Sequence, residues 1–212
     1  HTAWTAGLDR PVLVFGPPEI AAIWRQFCEM MRFDITIRMA DEGRVPFTKM
    51  AQITIVDAKT PDPIRLVDEN DLTVSAMRND HPPVVDSYAL RFDAGGKSIT
   101  FSGDTRYLPS LAVFAKNSDI LVHEAMLAKG LDHVLAKTRT NDDRLKNHLL
   151  AAHSFAEQAG QIAAAANVGH LVLNHLIPPE RDICNDADWQ AEAVRSFDGR
   201  CSVGHDGMAI EL

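Results

Sequence analysis

At 212 residues and 46% hydrophobic composition, the chain can bury a core of domain size, and a charged fraction of 24% is ordinary for a globular protein. A formal net charge of −8 repels phosphate backbones over long range and disfavours nucleic acid as a partner; no apolar run is long enough to cross a membrane. Cys28, Cys184 and Cys201 are few, odd in number and far apart, so they read as free thiols.

In chain order, "HTAWTAGLDRP" reads as the last turn of a helix stopped at Gly7, so a domain is already under way at residue 1. "PVLVFGPP" is a buried strand broken by Gly16-Pro17-Pro18. "EIAAIWRQFCEMM" has helical spacing, with Ile20, Ile23, Trp24 and Phe27 on one face. Residues 33 to 68 read as short strand pieces, "ITIR" and "AQITIV", separated by turns. "LTVSAM" alternates like a strand with one buried face, and "SYALRFDAGGKSITFSGD" reads as a β-hairpin turning at "DAGG".

The second half alternates helix and strand. "LPSLAVFAKN" is helical and "DILVHEA" a strand; residues 126–152 form a polar helical insert. "SFAEQAGQIAAAANVG" is a helix with an expected capping box, Ser154 as N-cap and Glu157 three residues on. "HLVLNH" is a strand, followed by a helix over Trp189 to Phe197 and a terminal strand. The pattern is one α/β domain over 1–212, with antiparallel hairpins early and βα units late.

Three apolar runs stop at residues that bind metal or move protons. "ITF" leads to Asp104, "ILV" to His123 and Glu124, and "LVL" to Asn174 and His175. In α/β sheets, ligand sites form at the carboxyl ends of strands, so three such endings point to one shared site. His81 follows "LTVSAM" and is held by Pro82 and Pro83, and His153 lies beside a helix N-terminus, where anions are favoured. Singly, each has an ordinary explanation as a cap, a turn or a packed side chain; together they read as a cluster. His123 reads as a supporting residue. His1, His133, His148, His170 and His205 read as non-catalytic, with His133 and His148 close enough in sequence to border the site.

The run "FSGDTRYLPSLAVFAKNSDILVHEA", then "HSFAEQAGQIA", then "LVLNHLIPP" resembles the metallo-β-lactamase-fold hydrolases, in the ribonuclease Z and arylsulfatase-like branch. "AWTAGLDRPVLVFGPP" and "NDHPPVVDSYALRF" fit the same branch, so the likeness covers nearly the whole chain. The resemblance implies an αββα sandwich whose N-terminal part, with the H-x-H-x-D-H motif, precedes residue 1. It implies that His81, Asp104 and His175 ligate metal, with Asp104 bridging two divalent ions. Zinc is the expected metal, with manganese or iron compatible with the same donors. It also implies that Glu124 and His153 form a proton-handling pair.

The expected reaction is hydrolysis by metal-activated water. The substrate read from charge and from the lack of a basic arm is a small organic ester, an aryl sulfate or a phosphoester. The alternatives are a tRNA 3′-processing endonuclease, a hydrolytic dehalogenase or lactonase, and a non-catalytic binding module with a decayed metal site. The insert 126–152 is either a lid over the substrate or plain packing, with a homodimer contact as a further use. The expected location is cytoplasmic, with periplasmic or secreted placement left open by the upstream sequence.

Overall fold

The computed structural model describes residues 1–58, 61–138 and 142–212. They divide into two compact units, His1–Asp57 and Ala58–Leu212, inside the stretch read from sequence as one domain.

In the first unit, helix α1 (Thr2–Thr5) closes as expected at Gly7: Leu8 N–H donates to Ala3 O at 2.9 Å and Gly7 N–H to Trp4 O at 3.1 Å. Strands β1 (Val12–Gly16) and β2 (Ala51–Ile55) pair in parallel, from Val12 against Ala51 to Gly16 against Ile55. The start of β1 is not buried as expected; Val12 and Leu13 are exposed at this two-stranded sheet. Helix α2 (Ile20–Met30) turns Trp24, Phe27 and Cys28 onto a cluster of Trp4, Ile35, Phe47 and Met50, while Ile23 lies off that face.

Helix α3 (Arg32–Glu42) overturns the strand expected at "ITIR". A strand would put Ile35 and Ile37 on one face; instead Ile35 is buried and Ile37 is 49% exposed. Helical spacing also lets Arg38 pair with Asp34 at 3.0 Å and Glu42 at 2.8 Å, which offsets the weak helix propensity of Ile-Thr-Ile.

The second unit is a seven-stranded sheet whose strand order follows the chain: β3 (Ile64–Glu69), β4 (Leu72–Arg78), β5 (Tyr88–Ala94), β6 (Lys97–Phe101), β7 (Ile120–Met126), β8 (His170–Ile177) and β9 (Arg200–Val203). Strands β3 to β6 are antiparallel, and β6 to β9 are parallel. The β5–β6 hairpin turns where expected: Ala94 faces Lys97 across Gly95 and Gly96, whose φ of +59° and +72° a type I′ turn requires.

Helix α4 (Ser110–Phe114) joins β6 to β7, and α8 (Asp186–Ala193) joins β8 to β9. Between β7 and β8 lie α5 (Leu131–Lys137), α6 (Arg144–Ala152) and α7 (Ala156–Ala166). The core takes Leu121, Leu171 and Leu173 from the strands and Leu111, Ile162 and Trp189 from the helices, all fully buried. Each such aliphatic side chain contributes about 2 kcal/mol over leaving it in water. Helix α8 begins before Trp189, capped by Asn185 Oδ1, and stops at Ala193, so the expected helix to Phe197 is shifted towards the N-terminus.

The insert is helical as read, with residues 139–141 outside the described residues. Its Leu131, Val134, Leu135 and Leu149 pack with Met126, Ile177 and Phe155, whereas Leu127 joins the main core and Leu150 is exposed. Helix α7 departs from the expected cap. Ser154 Oγ donates to Thr105 O at 2.7 Å instead of capping, Phe155 is the N-cap, and Gln158 Oε1 accepts from Phe155 N–H at 2.8 Å. Among the described residues no helix is long and apolar enough to cross a membrane.

Candidate active site

Strands β6, β7 and β8 run parallel, so their carboxyl ends open on one edge of the sheet, and Asp104, Glu124 and His175 gather there. Asp104 follows Gly103, whose φ is +60°. A Cβ on Gly103 would lie 2.7 Å from Tyr88 O and 2.8 Å from Asn79 Nδ2, so only glycine lets the chain turn there and present Asp104. Asn79 Nδ2 donates to Ser102 O at 2.7 Å, and Asp80 N–H donates to Thr105 Oγ1 at 3.2 Å. These bonds tie the "NDH" turn to the "SGDT" turn, bringing His81 to the edge that carries Asp104.

His175 arrives by a different device. Glu124 pairs with Asn174 and Ala125 with Leu176, so His175 is the extra residue of a bulge on β8, held at φ +42°. A bulge re-aims a side chain, and left-handed backbone on a non-glycine residue persists only where its surroundings hold it. The result places His175 Nε2 3.4 Å from Asp104 Oδ2.

Glu124 is a buried hub. Its Oε1 accepts from Thr105 N–H at 2.9 Å, Ser154 N–H at 3.3 Å and His153 Nδ1–H at 3.1 Å, while Oε2 has no partner among the described residues. Burial alone would lower the His153 pKa, but the hydrogen bond and charge of Glu124, with a smaller pull from Asp104, outweigh it and raise His153 above its ordinary value. His81 Nδ1–H donates to Ala152 O at 3.0 Å. A carbonyl or a carboxylate only accepts, so Nε2 of both His81 and His153 is left for another partner.

The rings complete the constellation. His153 stacks on His175 at 5.4 Å between centroids and meets His81 edge-on at 5.0 Å. His153 is therefore in contact with both His81 and the His175 ring of the Asp104–His175 pair. Sequence reading placed His148 only at the border. In the structure its ring lies 5.8 Å from both His81 and His153. The one signal for it was its place in the insert, five residues before His153. His133 lies near Glu180, with Nε2 buried and without a partner among the described residues.

No family model matches the chain. A putative ribonuclease Z of Mycobacterium tuberculosis (strain CDC 1551 / Oshkosh) is 27% identical over 222 residues, spanning 100% of this chain and 90% of that one. The metallo-β-lactamase-fold protein YhfI from Bacillus subtilis superposes with a TM-score of 0.65 at 18% identity, covering 99% of this chain and 69% of that one. Zinc-bound PqqB from Methylobacterium extorquens superposes with a TM-score of 0.62 at 15% identity, over 99% and 65%. The chain is a metallo-β-lactamase-fold hydrolase.

The hydrolase also buries a histidine that faces away from this chemistry. His123 is 1% exposed and donates Nδ1–H to Glu124 O at 2.7 Å. Burial lowers its pKa from 6.5, against weaker upward pulls from the Glu124 carbonyl and charge. The unfolded chain then binds the extra proton and the fold does not, so stability rises with pH through this window and falls as pH drops below about 6.5. The limiting slope for one such group is about 1.4 kcal/mol per pH unit. Urea midpoints of His123→Asn between pH 7.5 and 5.5 are expected to fall less steeply than those of the unmodified chain. Equal slopes would contradict the neutral, buried ring; His170, whose pKa burial and Arg200 also lower, supplies part of the remaining slope.

Proposed function

We propose that this hydrolase cleaves phosphodiesters with the help of bound divalent metal, and that precursor tRNA 3′ ends are the first substrate to test. The observation that carries the reading is the buried His153–Glu124 pair, with the His81 and His175 rings against His153 and Asp104 beside His175. The relative named ribonuclease Z, matched along the whole chain, supports the phosphodiester class. It reopens the nucleic-acid partner that net charge had disfavoured.

Divalent metal fits the residues present: two imidazoles and a carboxylate suit zinc, and His81 is oriented by an outer carbonyl in the manner of metal-binding histidines. His81, Asp104 and His175 would hold the metal. When bound, such ions supply Lewis acidity and a water of lowered pKa.

The chain's own residues do the rest. His153 holds a proton at Nε2 and delivers it to the leaving oxygen. Glu124 fixes the ring through Nδ1, and the Thr105 and Ser154 N–H groups fix Glu124. Positioned acid catalysis of this kind is worth roughly a hundredfold or more.

A second reading, a small phosphoester substrate, is favoured by the charges around the site. Arg78, Arg106 and Arg181 are paired with Asp86, Asp80 and Asp186. Those pairs spend guanidinium charge that an RNA backbone would need. The aryl sulfate expectation finds no support among the relatives described above.

The deciding assay offers precursor tRNA, bis(p-nitrophenyl) phosphate and p-nitrophenyl sulfate to the metal-loaded protein. Cleavage of either phosphodiester is the expected result. RNA cleavage that falls steeply with salt supports the first reading, and turnover of the small ester alone supports the second. Turnover of the sulfate alone would overturn both.

A further inference from the structure

We propose that His81, His148 and His153 form a three-imidazole site for a single transition-metal ion of the zinc, cobalt or nickel class, with the insert helix α6 supplying the third ligand. One ring nitrogen from each of the three lies within 4.8 Å of the other two. The rings approach one another edge-on, at 73° for His81 and His148, 69° for His81 and His153, and 88° for His148 and His153. At these angles none of the three rings stacks on another.

Two of the three tautomers are already set. His81 Nδ1–H is spent on Ala152 O and His153 Nδ1–H on Glu124 Oε1, which leaves Nε2 of each as a free donor atom. A backbone carbonyl on one ligand and a carboxylate on another are the outer contacts that orient metal-binding imidazoles. Three neutral nitrogens without a carboxylate favour a borderline, imidazole-preferring cation over magnesium or calcium.

The ligand set differs from the one under the proposed function, which uses Asp104 and His175 and leaves His148 out. The site does not rest on that reading, but its consequence does. An ion in the triad occupies His153 Nε2, the atom assigned the proton, so occupancy at this position would block proton delivery. A single chain would then bind activating metal on one ligand set and inhibiting metal on the other, with His81 shared between them.

The test titrates Co²⁺ into the full chain carrying Asp104→Ala and His175→Ala, which removes the other ligand set. Visible d–d absorption is expected to saturate at one ion per chain. Adding His148→Ala is expected to weaken binding by more than about tenfold, and His148→Cys to add a thiolate-to-cobalt charge-transfer band in the near ultraviolet. The cysteine variant keeps a ligand at the position, so it decides the matter even where the alanine variant folds poorly. Unchanged affinity in His148→Ala, a His148→Cys complex without the new band, or no Co²⁺ binding in the double variant would each overturn the site. Loss of hydrolysis in the double variant speaks only to the proposed function, so the two ideas fail separately.

Discussion

Asp104→Ala is expected to release divalent metal and to lower phosphodiester hydrolysis by about a thousandfold, roughly 4 kcal/mol of transition-state stabilisation. Asp104 is the carboxylate of the proposed ligand set and stands 3.4 Å from His175 Nε2. Its removal leaves two imidazoles with no anionic partner to offset the charge of the metal. Its side chain is 38% exposed and its ion pair with His175 is open to solvent, so the melting temperature should move little. Metal content per chain and kcat/KM on bis(p-nitrophenyl) phosphate are the measurements. Activity within threefold of the parent, with metal retained, would remove Asp104 from the mechanism and with it the proposed function.

Glu124→Ala should act on stability first. Thr105 N–H, Ser154 N–H and His153 Nδ1–H all converge on one buried carboxylate oxygen. Truncation leaves three buried donors without an acceptor, a cost of about 3–5 kcal/mol. For a unit of this size that corresponds to a melting temperature lower by about 10 °C. Glu124→Gln is the informative partner. It keeps an acceptor at Oε1 but puts an amide N–H where Oε2 now finds no partner among the described residues, so it should recover part of the stability. It removes the charge that holds the His153 proton, so kcat should stay depressed by roughly a hundredfold. Calorimetry of both variants with matched kinetics separates the two effects. Full activity in Glu124→Gln would show that the charge is not needed.

Much of this site was legible because strand ends are local features. Apolar runs closing on Asp104, Glu124 and His175 name one sheet edge without any knowledge of tertiary structure, and the parallel pairing of β6, β7 and β8 brings them there. What stayed hidden depends on contacts distant in sequence. His148 meets His81 across the fold, and nothing in "RLKNHLL" marks that helix as one that packs beside the "NDH" turn. Ser154 fits a capping pattern, yet Thr105 O, 49 residues away, takes its hydroxyl and the helix starts one residue later. "ITIR" looks like a strand because β-branched residues favour one, until the ion pairs of Arg38 choose the helical register.

The bulge at His175 is of the same kind. Alternation along "HLVLNHLI" would send His175 to the face opposite Asn174; the extra residue against β7 breaks that rule and lets adjacent residues share the edge. The backbone at this position departs from the pleat because the neighbouring strand offers one residue where β8 supplies two.

Because the seven strands lie side by side in their order of synthesis, β3 and β9 form the two rims and β6 to β8 sit inboard. Amide hydrogens should exchange first along Arg200–Val203 and Ile64–Glu69 and last in the interior strands that present Asp104 and Glu124. Transient fraying at the borders would leave those side chains in register, so the pocket is built on the part of the sheet that opens least often.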